Sequence, residues 1–211
     1  MGLADALKER GGVWFGWNGE KDGVTGGDLH VERIGKVDRV AAPLSPEDFS
    51  DYYLGYANSV LWPLFHYRLD LVDYQPSFFD SYRRVNETFA RQLAPFLKPD
   101  DLVWVHDYHL IPLAGFLRKL GCRQRMGFFL HIPFPPPDLL AASPNHAELV
   151  DALLEHDVVG FQTHTDAGNL KLYLSEHALA VQVAENRFSL GERSVLVDRF
   201  PIGIDAVGFA A

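Results

Sequence analysis

Hydrophobic and polar positions follow two different rhythms along this chain, and the change between them marks how it is organised. Near the amino end, Leu3 and Leu7 stand four apart in a short predicted helix over residues 2–10, which Gly11-Gly12 closes. Val13-Trp14-Phe15-Gly16-Trp17 reads as a strand, and Leu29–Ile34 and Val37–Ala42 alternate with a period near two. The glycine-rich stretch Asn18–Gly27 between them is a loop. Ser45-Pro46-Glu47-Asp48 is a helix start, with serine as cap, proline at the first helical position and acids in the first turn. It predicts a helix to about Tyr56, with a second short one over Ser59–Phe65. Phe79, Tyr82, Val85, Phe89 and Leu93 recur at helical spacing and predict a long helix over Pro76–Pro95.

From residue 100 the rhythm becomes strand, helix, strand. Short apolar runs at Leu102–Val105, Arg125–Leu130 and Asp157–Gly160 alternate with helical patterns. The first helix carries Leu110, Leu113, Leu117 and Leu120 and must start near Tyr108–Leu110, because Pro112 fits only in a first turn. The others cover Asn145–Glu155 and Asp166–Leu179. A hairpin follows, with Phe188–Leu190 and Ser194–Val197 joined around Gly191-Glu192, and then a final strand and turn over Phe200–Asp205. This alternation predicts an α/β fold with a doubly wound, mostly parallel sheet. Such domains open on a strand that feeds a glycine-rich loop into a helix. This chain opens on the helix side, so the first strand is expected to precede Met1.

Two of these runs carry the chemistry. Leu102-Val103-Trp104-Val105 ends in His106-Asp107-Tyr108-His109, and Met126-Gly127-Phe128-Phe129-Leu130 ends in His131-Ile132-Pro133-Phe134-Pro135. Polar groups at the carboxyl ends of buried parallel strands line the ligand crevice of an open α/β sheet. Asp107 either caps the following helix or accepts hydrogen bonds from ligand hydroxyls. His106 and His109 have a second reading, as satisfied core or cap histidines. The spacing matches no metal motif, and no cysteine assists. Pro135-Pro136-Pro137 makes the loop after His131 stiff, which suits a rigid turn or the placement of a ligand group. Trp14, Trp17, Tyr52, Tyr53, Tyr56 and Trp62 crowd the first third. Beside Asn58 and His66 they are either core or a platform for the apolar faces of sugar rings.

Bulk properties narrow the field. With 47% hydrophobic residues in 211, a packed core is expected rather than disorder. A net charge of −9 argues against nucleic acid or an anionic membrane as the main partner, while leaving room for a local phosphate pocket. Cys122 is the one cysteine, so no intramolecular disulfide forms, and a cytoplasmic location is expected. No apolar run is long enough to span a membrane, and the first residues lack a signal peptide's pattern. No dinucleotide fingerprint, P-loop or nucleophile elbow occurs.

Longer strings carry a resemblance. Trp14-Phe15-Gly16-Trp17-Asn18-Gly19, Tyr52-Tyr53-x-x-Tyr56-x-Asn58-Ser59-Val60-Leu61-Trp62-Pro63-Leu64-Phe65-His66-Tyr67 and Val105-His106-Asp107-Tyr108-His109-Leu110 are three of them. Gly127-Phe128-Phe129-Leu130-His131-Ile132-Pro133-Phe134-Pro135, Val159-Gly160-Phe161-Gln162-Thr163 and Phe200-Pro201-Ile202-Gly203-Ile204-Asp205 are the others. In this order, over nearly the whole chain, they resemble the trehalose-6-phosphate synthase family. The resemblance implies a retaining glycosyltransferase of two Rossmann-like domains, the GT-B fold. It implies transfer of glucose from UDP-glucose, or another nucleotide-glucose, to glucose 6-phosphate, giving α,α-trehalose 6-phosphate, with no cofactor and no metal. Residues 1–205 then correspond to the amino-terminal, acceptor-binding domain, and 206–211 to the start of a linker to a donor-binding domain.

Carried over by position, Asp107 and His131 are the expected catalytic residues. Tyr53, Trp62, Trp17 and Asp107 are expected to bind the acceptor, with Tyr53 at its phosphate. Gly2 and His131 are expected at the donor, Gly2 through a backbone that approaches the diphosphate at a helix start. The departures are Met1 in place of the loop's first glycine, and an acceptor-binding arginine and donor-domain residues that fall outside the chain. The expectation is therefore a polypeptide with little activity alone, whose open sheet edge invites association into homo-oligomers. The alternatives are a glucosylglycerol-phosphate synthase-like transferase and a non-catalytic sugar-phosphate-binding remnant.

Overall fold

In the computed structural model the described residues are 9–177 and 179–203. They fall into two compact units, divided after Glu47 and again after Pro201. The first unit holds a three-stranded sheet of β1 (Gly12–Trp17), β2 (His30–Ile34) and β3 (Val37–Ala42), in the order β1-β3-β2. β1 runs parallel to β3, and β2 antiparallel. Gly11 turns the chain into β1 at φ 78°, where a side-chain carbon would come within 2.9 Å of the Lys36 carbonyl oxygen, so the position needs glycine.

The second unit begins within one continuous helical run: α1 (Pro46–Asp48), a π-helical segment Phe49–Leu61, and α2 (Trp62–Phe65). The sequence predicts two helices here. No breaker separates them, and the buried positions Tyr56, Ala57, Val60 and Leu61 continue through the expected gap. The Ser59 hydroxyl donates to the Leu54 carbonyl five residues back at 2.7 Å, which suits the wider turn. α3 (Pro76–Leu93) packs against this run, burying Phe79, Tyr82, Val85, Phe89 and Leu93 as their spacing requires. A 3₁₀ turn, Ala94–Phe96, ends it.

The main sheet is β4 (Leu102–His106), β5 (Arg125–Phe129), β6 (Val158–Phe161), β7 (Val181–Ala184), β8 (Arg187–Leu190) and β9 (Arg193–Arg199), in the order β4-β5-β6-β9-β8-β7. β4, β5, β6 and β9 are parallel, and β7 and β8 add an antiparallel edge. This is the mixed, parallel-dominated sheet of a Rossmann-like domain. The connecting helices are α4 (Leu113–Lys119), α5 (Pro137–Leu140), α6 (His146–Leu153) and α7 (His164–Glu176).

Two further differences from the sequence reading have local causes. β7 is exposed along its whole length, so it carries no buried alternation to betray it. The strand predicted over Phe200–Asp205 is absent among the described residues, which end at Gly203. The Phe200 amide still donates to the Phe161 carbonyl at 2.8 Å, but Pro201 has no N–H with which to continue. No helix among the described residues is long and apolar enough to cross a membrane.

Candidate functional site

The parallel register pairs His106 with Phe129 at the ends of β4 and β5. One residue further, the Asp107 amide donates to the Phe129 carbonyl at 2.9 Å and the Leu130 amide to the Gly160 carbonyl at 3.0 Å. The two polar clusters therefore emerge side by side at the carboxyl edge of the sheet.

Asp107 makes the turn out of β4 with φ 69° and ψ 166°. Glycine alone adopts this region readily, and an aspartate held there costs about 1–3 kcal/mol. Its Oδ1 accepts from the amide of Tyr108 at 3.3 Å and from that of His131 at 3.4 Å. Both bonds fall on one oxygen. Oδ2 has no partner among the described residues.

The 3₁₀ turn Tyr108–Leu110 that follows is fixed from beneath. Its carbonyls cannot all be bonded within so short a turn, and buried side chains complete them. The Tyr82 hydroxyl donates to the Tyr108 carbonyl at 2.5 Å; Asn86 Nδ2 and the Tyr52 hydroxyl donate to the His109 carbonyl at 3.1 and 3.3 Å. Burial raises the Tyr52, Tyr82 and Tyr108 hydroxyls above the usual phenol range, so they remain protonated donors. The Tyr108 hydroxyl reaches Asn58 Oδ1 at 2.9 Å. Tyr53 stacks on the His109 ring, centroids 5.4 Å apart at 19°, which joins the π-helical segment to the same turn. Burial lowers the His109 imidazole's pKa, partly offset by Asp107.

On the other strand, the His131 ring is exposed, and its Nε2 lies 3.0 Å from His106 Nδ1. Desolvation, then the neighbouring His131, pushes His106 down to about 4. The loop after His131 is clamped through Phe134, whose side chain is buried edge-on against Phe65. Its amide donates to Asp166 Oδ1 at 2.9 Å, and its carbonyl accepts from Asn169 Nδ2 at 2.8 Å and the Tyr67 hydroxyl at 3.3 Å. Asp166 is buried in the first turn of α7. It also accepts from the hydroxyl of Thr163, which caps that helix.

The structure thus joins Asp107 and His131 directly, and Tyr53 through His109. Trp62 is exposed and stacks on His66 at 4.1 Å, outside that set of contacts. Trp17 belongs to the first unit, where it lines a cleft of about 980 Å³ with Trp14, Asn18, Glu20, His30 and Arg39. Gly2 lies outside the described residues. A smaller cavity of about 270 Å³, bordered by Phe79, Arg83, Phe116 and Glu155, contains none of the predicted site residues. No cluster of three or more metal-ligating side chains occurs among the described residues.

The sequence reading missed the supporting roles of Tyr82, Asn86, Asp166, Asn169 and Tyr67. Thr163-x-x-Asp166 before an apolar run is a capping pattern and could have flagged the α7 start. Nothing local marks Tyr82 or Asn86 as more than positions on a helix face.

Comparison with known proteins adds an independent observation. The family model described as glycosyltransferase family 20 matches residues 2–211. A trehalose-6-phosphate synthase of Sodalis glossinidius is 41% identical over 208 residues, covering 97% of this chain and 44% of that protein. The crystal structure of an α,α-trehalose-phosphate synthase (UDP-forming) from Burkholderia vietnamiensis superposes with a TM-score of 0.94 at 45% identity, over 99% of this chain and 45% of that one. One from Burkholderia xenovorans, in complex with glucose 6-phosphate, gives 0.88 at 44% identity, over 96% and 46%. The chain spans under half the length of these relatives.

Proposed function

We propose, from the premise that this chain belongs to glycosyltransferase family 20, that it supplies the acceptor-binding half of a GT-B glucosyltransferase. The reaction is transfer of glucose from UDP-glucose to glucose 6-phosphate with retention, giving trehalose 6-phosphate in the cytoplasm. The observation that carries this reading is Asp107, an aspartate in a glycine conformation with one oxygen held by two amides and the other unbonded among the described residues. Strain kept at the carboxyl end of a parallel strand, where open α/β sheets receive their ligands, points to function rather than to packing.

In this reading Asp107 Oδ2 accepts hydrogen bonds from hydroxyls of the acceptor sugar. The Tyr53 hydroxyl meets the acceptor phosphate, while Trp62 offers an apolar face to the sugar ring. His131 steadies the transferring glucose. The residues of this half contribute position and electrostatics: they hold the attacking oxygen on the face of the glucose that the diphosphate leaves, as retention requires. The companion half supplies most of the donor site.

Calorimetry on the 211-residue chain tests the division. Glucose 6-phosphate should bind weakly, Asp107→Ala should abolish its heat, and UDP-glucose should give almost none. Tight UDP-glucose binding would sink the assignment of this half to the acceptor.

A further inference from the structure

The contact between His106 and His131 has a direction. Their facing nitrogens, Nδ1 of His106 and Nε2 of His131, lie 3.0 Å apart, with ring centroids 5.3 Å apart and planes at 24°. Between two neutral imidazoles one nitrogen must donate and the other accept. The remaining nitrogen of His106, Nε2, is buried and has no partner among the described residues. With its proton on Nε2, His106 would bury an orphaned N–H, which folded proteins tolerate less often than an unmet acceptor. With its proton on Nδ1, the ring donates to His131 and leaves only a bare lone pair buried. His131 is exposed, so either of its nitrogens can be served by solvent and its own preference does not oppose this choice.

We propose that His106 is a positioning residue: its Nδ1–H donates to His131 Nε2, holds His131 as the Nδ1–H tautomer, and makes His131 meet its ligand as a hydrogen-bond donor. Burial, which keeps His106 neutral down to about pH 4, supports the uncharged form of the pair. The side chain of His131 then accepts from the protein and donates outward, so it selects an oxygen acceptor with a free lone pair. That the oxygen belongs to the transferring sugar rests on the function proposed above; the tautomer does not.

The test is long-range ¹⁵N–¹H NMR of the labelled chain at about pH 8, above the ordinary histidine range. The His131 signals are identified by their loss in His131→Gln. In the wild type, Nδ1 of His131 should carry the proton and Nε2 should be bare. His106→Asn places an amide N–H₂ where Nδ1 stood and should leave that pattern unchanged. His106→Asp puts an acceptor there and should move the proton to Nε2. His106→Leu removes the partner and should give the averaged pattern of a free ring, which keeps the test decisive if the aspartate variant does not fold. An Nε2–H or averaged His131 in the wild type, or an Nδ1–H pattern that survives His106→Asp or His106→Leu in a folded protein, overturns the proposal. No readout involves sugar binding, so failure of the calorimetry above and failure of this proposal are distinguishable.

Discussion

The amide of His131 donates to Oδ1 of Asp107 at 3.4 Å, across 24 residues of sequence. This bond makes the two strand ends a single unit: Asp107 cannot turn without releasing the start of the His131 loop. The same oxygen caps the Tyr108 amide. One side-chain atom therefore fixes the geometry while the other oxygen is left for chemistry.

The strain at Asp107 can be measured apart from its hydrogen bonds. Asp107→Ala and Asp107→Gly both lose the carboxylate, but only glycine relieves φ 69°. The glycine variant should be more stable than the alanine variant by ~1 kcal/mol, after allowing for glycine's extra freedom when unfolded. Denaturant unfolding of the two variants checks this, and equal midpoints would mean that the turn is unstrained. Both should fail to bind glucose 6-phosphate.

Acid should destabilise the second unit through its buried histidines. His156 is buried with its Nδ1 3.1 Å from the Leu153 carbonyl, and desolvation pushes it down to about 4. The unfolded chain takes up this proton first, near ~6.5. Stability from the neutral ring is therefore full above that pH and is lost as pH falls toward 4, with His106 acting in the same sense. Replacing His156 with Phe beside Phe128 should flatten the slope by one proton, about 1.4 kcal/mol per pH unit. Unfolding midpoints measured between pH 4 and 7 give the slopes, and an unchanged slope would remove His156 from this account.

Asp166→Ala should cost ~1–3 kcal/mol, because it leaves the Phe134 amide without its acceptor in a buried loop. The specific sign is faster hydrogen exchange at Phe134, with little change at the Phe129 amide in β5. Exchange that rises equally throughout the unit would instead indicate general loosening.

Gly55→Ala should also destabilise. A side-chain carbon there would sit 2.7 Å from the Phe78 ring, at the contact of the π-helical segment with α3. The ring or the helix must shift, at a cost of ~1–3 kcal/mol. Phe78→Ala in the same chain should restore much of the loss that Gly55→Ala causes, and additive effects would show that the two sites do not touch.

What the sequence disclosed followed from how local each signal is. The β4 and β5 runs and the helical face of α3 are written as periodicities of burial, so their positions were readable. So was the emergence of Asp107 and His131 at strand ends, since polarity changes abruptly there. The π-helical continuity of 49–61 was not, because helix type depends on packing against α3 rather than on any residue in the segment. β7 hid because a wholly exposed strand has no buried face. The supports of the site hid most completely. Tyr82 and Asn86 look like ordinary positions on a helix face, and only the fold shows that their polar atoms complete the carbonyls of Tyr108 and His109.

The clamp on Phe134 bears on how a ligand would be received. Both backbone polar groups of that residue are bonded, to Asp166 on one side and to Asn169 and Tyr67 on the other. The conformational entropy of the segment carrying His131 is thus surrendered when the chain folds, not when a sugar arrives. Association with this half becomes the docking of a ligand on a surface already cast, governed by the stripping of water from hydroxyls and carboxylate rather than by the ordering of a loop.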